Sequence, residues 1–213
     1  MSPFPVILSA PSGAGKTTIA REILARRSDA GYSVSCTTRT PRPGEVHGKD
    51  YYFLTRAEFL RQREDGAFAE SAVVHGNLYG TLRTEIQRVL ANGLHVMMDI
   101  DVQGAHQLIR VFPQAVTVFV LPPTGEVLLE RLKGRNTESS AQLVARLQSA
   151  LQELQAVDEY EYVVVNDDLE LAVNRVNAII DAEVLSRDRV AGLRSQVTLL
   201  IDRLEREIES HQP

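Results

Sequence analysis

The stretch Ser9-Ala10-Pro11-Ser12-Gly13-Ala14-Gly15-Lys16-Thr17-Thr18 constrains this chain more than any other. An apolar run over residues 4–8 precedes it, and a helix-forming stretch over residues 16–27 follows. A strand that turns through glycines into a helix N-terminus is built to hold phosphate. The glycines let backbone N–H groups turn inward and approach phosphate oxygens without a Cβ in the way. The helix contributes the positive end of its dipole. Lys16 places a point charge on the terminal phosphates, and the Thr17 hydroxyl is suited to ligate Mg²⁺. Alanine stands where the first glycine of this motif is usual, and the rest of the register is intact. Residues Ala10, Pro11, Ser12, Gly13, Ala14, Gly15, Lys16, Thr17 and Thr18 are therefore expected to bind a nucleoside triphosphate. Such a loop serves kinases, GTPases and motor proteins alike, so it leaves the reaction open.

Short apolar runs continue the pattern at 94–100, 115–121 and 162–165. Helical patterns fall at 102–111, 124–132, 141–154 and 169–182. Buried strands separated by helices imply a parallel sheet covered on both faces. Two regions break the rhythm. Residues 33–92 are rich in turn formers and aromatics, with short strands expected at 51–53, 68–74 and 78–81. They are expected to form an inserted lobe. Residues 125–151 carry several arginines and are expected to form a mobile helical lid. The expected fold is a P-loop NTPase, a three-layer α/β/α core with a central parallel sheet, an inserted lobe and a lid. The core takes residues 1–32, 93–124 and 152–190, and a C-terminal helix takes 191–213. In that helix Leu193, Val197, Leu200, Leu204 and Ile208 share one face. The face is expected to pack on the chain's own core, with a contact between two copies as the alternative. Monomer and homodimer both stay open.

Composition narrows the class. A formal net charge of -5 argues against a general nucleic-acid binder. The single cysteine, Cys36, excludes an internal disulfide and is expected to be a small half-buried residue. No apolar run approaches the roughly 18 residues of a membrane span. No basic segment and apolar core of a signal peptide open the chain. A cytoplasmic protein with no membrane partner is expected.

Arg39 and Arg42 lie three apart in a proline-rich loop, Ser33-Val34-Ser35-Cys36-Thr37-Thr38-Arg39-Thr40-Pro41-Arg42-Pro43-Gly44-Glu45. Two guanidinium forks with tyrosines nearby make a cage for a phosphate monoester, although most arginine pairs are merely solvated. With Gly48-Lys49-Asp50-Tyr51-Tyr52-Phe53 this run resembles the nucleoside-monophosphate lobe of guanylate kinases. So do Phe68-Ala69-Glu70, Gly76-Asn77-Leu78-Tyr79-Gly80-Thr81 and Asp99-Ile100-Asp101-Val102-Gln103-Gly104, and the resemblance spans about residues 5–185. It implies that Arg39, Arg42, Tyr51 and Tyr79 hold the phosphate of GMP. Ser35, Glu70, Thr81 and Asp101 would read guanine. The chemistry is consistent. Guanine presents adjacent N1–H and N2–H donors that one carboxylate can accept, and an O6 to which a hydroxyl can donate. Adenine would set an acceptor against that carboxylate, and buried polar groups left unpaired can reject a wrong base by roughly 10⁴.

Asp99 and Asp101 sit at the carboxyl end of the strand at 94–100, where ligand sites of such sheets gather. Asp99 is placed to support Mg²⁺ through water, and either aspartate could instead cap the next helix. In the lid, Arg131, Arg135 and Arg146 match family positions that clamp the triphosphate. Exposed arginines paired with Glu130, Glu138 or Glu153 are the alternative. Asn166-Asp167 resembles the family's adenine contact. Together these imply an ATP:GMP phosphotransferase giving ADP and GDP, in purine nucleotide metabolism and GMP recycling. Its catalytic residues would be Lys16, Arg39, Arg131, Arg135 and Arg146, and its cofactor Mg²⁺. The alternatives are another nucleoside-monophosphate kinase, or an inactive interaction module of the same fold.

Overall fold

The computed structural model describes residues 2–74, 76–133 and 140–211. Its central sheet runs β2 (Ala30–Tyr32), β7 (His95–Asp99), β1 (Pro5–Ser9), β8 (Val116–Leu121), β9 (Tyr162–Val165), and every pairing is parallel. β1 is buried at all five positions, because helices cover both of its faces. On one face, α1 (Lys16–Arg26) and α7 (Leu169–Val184) bury Ile19, Ile23, Val173, Val176 and Ile180 against Val6, Leu8 and Val118. On the other, α3 (Arg83–Ala91) and α4 (Val102–Val111) set Ile86, Val89, Ala105 and Leu108 against Ile7, Val96, Met98 and Phe119. The expected three-layer core is present.

A second sheet, β4 (Tyr52–Phe53), β3 (Cys36–Thr37), β6 (Asn77–Leu82), β5 (Phe68–Val74), forms the lobe with α2 (Arg56–Glu64). Its small core gathers Cys36, Phe59, Phe68 and Leu78, and the two phenylalanine rings stack at 4.4 Å. Cys36 is fully buried rather than half-buried, and burial pushes its thiol up to about 12, so it stays protonated. The lobe docks on the core where α4 meets β5. The Gln107 side chain accepts from the Ser71 N–H at 3.1 Å and donates to the Ser71 carbonyl at 2.9 Å. One residue before Ser71, the β5–β6 register shifts between Phe68 and Glu70. Such an irregularity re-aims a side chain.

α5 (Gly125–Lys133) and α6 (Ser140–Gln155) pack on each other through Leu128, Leu132 and Ala150. Arg135 lies outside the described residues. The last helix, α8 (Leu193–Ser210), has no buried residue. The expectation that it packs on the chain's own core is therefore wrong: the apolar face is there, but none of the described residues covers it. Among the described residues no helix is long and apolar enough to cross a membrane.

Candidate active site

The loop after β1 closes on itself through the Ala14 N–H donating to the Pro11 carbonyl at 3.0 Å. Gly15 caps α1 at φ 95, a left-handed conformation that side chains rarely adopt. A Cβ there would also stand 2.4 Å from Asn166 Nδ2. Asn166 is buried at the end of β9 and donates to the Ala14 carbonyl at 2.7 Å, fixing the loop from below. Arg131 of α5 donates to the same carbonyl at 3.4 Å. Gly13, Gly15, Thr18, Arg131, Asn166 and Asp167 line one hollow on this side of the loop. Asp167 itself is exposed and pairs with Arg175 at 3.1 Å. A backbone donor from Asp168, together with Arg175, holds its carboxyl below the usual range.

On the inner side Lys16 Nζ donates to the Ile100 carbonyl at 2.8 Å, which parks its charge at the carboxyl end of β7. The Thr17 hydroxyl donates to Asp99 Oδ2 at 2.7 Å, and the Tyr32 hydroxyl donates to Asp99 Oδ1 at 2.9 Å. Among the described residues no cluster of three His, Cys, Asp or Glu side chains could hold a metal by itself. Mg²⁺ bound with a triphosphate needs only one or two protein oxygens. The adjacent hydroxyl of Thr17 and carboxylate of Asp99 are hard oxygen donors that fit it.

Across the cleft stands Glu70, 5% exposed. Thr81 donates to Glu70 Oε1 at 2.6 Å, and Ser35 and Thr81 share a hydroxyl bond at 3.2 Å. Burial pushes the Glu70 carboxyl up to about 7, against the pull of Thr81. Asp101 spends Oδ1 on the Gly104 N–H at 2.8 Å and so caps α4, as a short acidic side chain at a helix start commonly does. Lys16, Ser35, Tyr51, Glu70, Tyr79, Asp99 and Asp101 line one cavity. The strand ends of the core and the lobe thus converge on it.

Arg39 sits behind the tyrosines. Its guanidinium donates to the Tyr79 hydroxyl at 3.2 Å, the Thr40 carbonyl at 2.7 Å and Glu45 at 2.8 Å. It also lies 5.5 Å from the Tyr51 ring centre, within the reach of a cation over an aromatic face. Pairing with Arg39 holds the Glu45 carboxyl below its ordinary value, and burial pushes the Tyr51 phenol up to about 12. Arg42 is exposed on the loop, with its backbone N–H bound to Glu45 at 2.7 Å.

Arg146 is not an exposed lid arginine. It is 7% exposed and donates to the Leu132 carbonyl at 2.9 Å, joining α6 to α5. Glu153 does not serve as its exposed partner. It accepts from the Ser12 N–H of the phosphate loop at 3.1 Å, and burial raises its carboxyl pKa. Spacing gave no signal for that contact, nor for Tyr32 on Asp99 or Glu45 on Arg39. The first two join segments that meet only once the chain has folded, and the third depends on how one loop turns between Arg39 and Glu45.

The family model described as guanylate kinase matches residues 2–183. A guanylate kinase of Thermotoga maritima is 44% identical over 200 residues, covering 94% of this chain and 92% of that protein. One of Novosphingobium aromaticivorans is 48% identical over 188 residues, covering 88% of this chain and 85% of that protein. The crystal structure of guanylate kinase from Anaplasma phagocytophilum superposes with a TM-score of 0.75 at 35% identity, over 91% of this chain and 93% of that one. With a family model matched along most of its length and relatives this similar, the chain belongs to the guanylate kinase family.

Proposed function

We propose that this guanylate kinase, an ATP:GMP phosphotransferase, holds ATP on the loop at Ala10–Thr18 and GMP in the cavity between β5, β6 and β7. One observation carries the reading: a buried carboxylate with its hydroxyl partners, Glu70, Thr81 and Ser35, faces Lys16 across a single cleft. A buried acceptor beside one buried and one half-buried hydroxyl is the complement of guanine's edge. Arg39, Arg42, Tyr51 and Tyr79 take the GMP phosphate, with the phosphate replacing Glu45 on the Arg39 fork. Asp101 keeps Oδ2 for the base while Oδ1 caps α4. Asn166 and Asp167 border the adenine.

An oxygen of the GMP phosphate attacks the γ-phosphorus of ATP in line, forming the new P–O bond of GDP. The bond from that phosphorus to the β,γ-bridging oxygen breaks, and ADP leaves with the electron pair. No side-chain base is required, because the attacking oxygen is already ionised at neutral pH. The protein's work is positioning and charge stabilisation. Lys16 leaves the Ile100 carbonyl for the β- and γ-phosphates. Arg131, at the loop already, and Arg135 stabilise the moving group, and Arg146 acts through the α5–α6 junction. Thr17, with Asp99 behind it, would hold Mg²⁺, which would supply neutralisation of the triphosphate's negative charge. A cytoplasmic location fits the one buried, unpaired thiol.

Lys16→Ala tests this assignment. Turnover should fall at least roughly a thousandfold with an unchanged thermal unfolding midpoint. Wild-type turnover in that variant would remove the loop from the mechanism.

A further inference from the structure

α8 leaves the core from an anchored root. Just before it, Arg189 pairs with Glu183 at 2.9 Å, donates to the Gln114 carbonyl at 2.8 Å and lies 4.3 Å over the Phe4 ring. Gly192 then turns the chain at φ 72, and 18 residues of helix follow. At the usual helical rise that arm is about 27 Å long. Val197, Leu200, Ile201, Leu204 and Ile208 are exposed by 44%, 59%, 48%, 63% and 59%, and Leu193 is half-buried. At helical spacing these six fall in one stripe about 100° wide, the width that normally faces a core.

The stripe reads the same from both ends. About a centre between Leu200 and Ile201, Leu193 mirrors Ile208 and Val197 mirrors Leu204. A helix with that symmetry is complementary to itself run backwards, as a twofold interface requires. Charge agrees with the register. An antiparallel pair sets each flank of the stripe against the same flank of the other helix. Arg194 and Glu205 share one flank at opposite ends, so each Arg194 faces the Glu205 of the second copy. On the other flank Gln196 faces Glu207, and no like charges are directly opposed. Opposed helix dipoles favour the same orientation.

We propose that α8 is a dimerisation arm: it pairs antiparallel with α8 of a second copy of this chain, about a twofold axis at Leu200 and Ile201. Leu193 then packs on Ile208 of the second copy and Val197 on its Leu204. This places the contact on an element that contributes no residue to the substrate cleft.

Sedimentation equilibrium of the full chain at tens of micromolar, with GMP phosphorylation as a check of the fold, decides it. The wild type should have twice the chain mass. Leu204→Glu should weaken the dimer roughly a hundredfold or more, since it buries an unpaired charge, with turnover unchanged. Arg194→Glu should weaken it, and Arg194→Glu with Glu205→Arg should restore it. A monomeric wild type, a dimer indifferent to Leu204→Glu, or a charge reversal that restores nothing would each overturn the proposal. So would a monomer whose arm instead binds anionic lipid vesicles.

Discussion

The carboxylate of Glu70 rests against Gly104 so closely that a β-carbon at residue 104 would stand 2.7 Å from Oε2. The lobe brings one partner and α4 the other, and the Gln107–Ser71 pair locks them together. Glu70 cannot easily yield, because it is buried and its other oxygen is held by Thr81. Gly104→Ala should therefore raise the KM for GMP roughly tenfold or more, while the KM for ATP stays within about twofold. Alanine's helix preference, at most about 1 kcal/mol, offsets only part of the clash, so the unfolding midpoint should fall or at best hold. Steady-state kinetics with each substrate varied in turn, and a thermal melt, check both halves.

Glu70 also predicts opposite pH trends for stability and binding. Its folded pKa of about 7 lies above the ordinary 4.5. A raised pKa contributes stability that is fully present below about 4.5 and is lost as pH rises through about 7. The cost at high pH is on the order of 3 kcal/mol. Glu70→Gln should thus stabilise the fold at pH 8 more than at pH 5.5 in thermal melts. Binding runs the other way, since guanine's two donors need the ionised carboxylate. GMP should bind with release of a proton near pH 6.5, seen by calorimetry in buffers of different ionisation enthalpy. Subtracting Glu70→Gln removes the titration of the GMP phosphate itself, near pH 6.

The phosphate loop was legible because its register of glycines, Lys16 and Thr17 is local. β5 and β9 were legible end to end, as apolar runs bounded by turn formers. α2 was not, because Arg56–Glu64 buries only Phe59 and shows no apolar stripe, although the Thr55–Glu58 capping box marks its start. α3 was hidden inside a region dominated by turn residues. β2 and β3, three and two residues long, are made by their neighbours in the sheet. Glu70 was identifiable through resemblance, but its burial against Gly104 and Thr81 belongs to the tertiary fold. So does the inward turn of Arg146 onto the Leu132 carbonyl, where the sequence implied a clamp on the triphosphate or, as the alternative, a surface pair.

Gly15 meets two constraints at once, φ 95 and the Asn166 amide. Gly15→Ala should lower kcat/KM for ATP roughly a hundredfold, about 3 kcal/mol of transition-state stabilisation. Adding Asn166→Gly should recover only part of it, because the backbone strain remains. Parallel measurements on the single and double variants test the division.

Arg39 reaches Tyr79, Glu45 and the Thr40 carbonyl with three different nitrogens. Lysine keeps the charge but loses the fork. Arg39→Lys should raise the KM for GMP roughly tenfold and leave that for ATP unchanged. An equal effect on both substrates would place Arg39 outside the monophosphate site.

The most direct measurement is ADP formation from ATP with GMP, AMP, UMP or dTMP as acceptor. A cleft that reads guanine through Glu70, Thr81 and Ser35 should favour GMP in kcat/KM by roughly a thousandfold or more, with little ADP formed when no acceptor is present. Preference for another base, or equal ADP release without GMP, would contradict it.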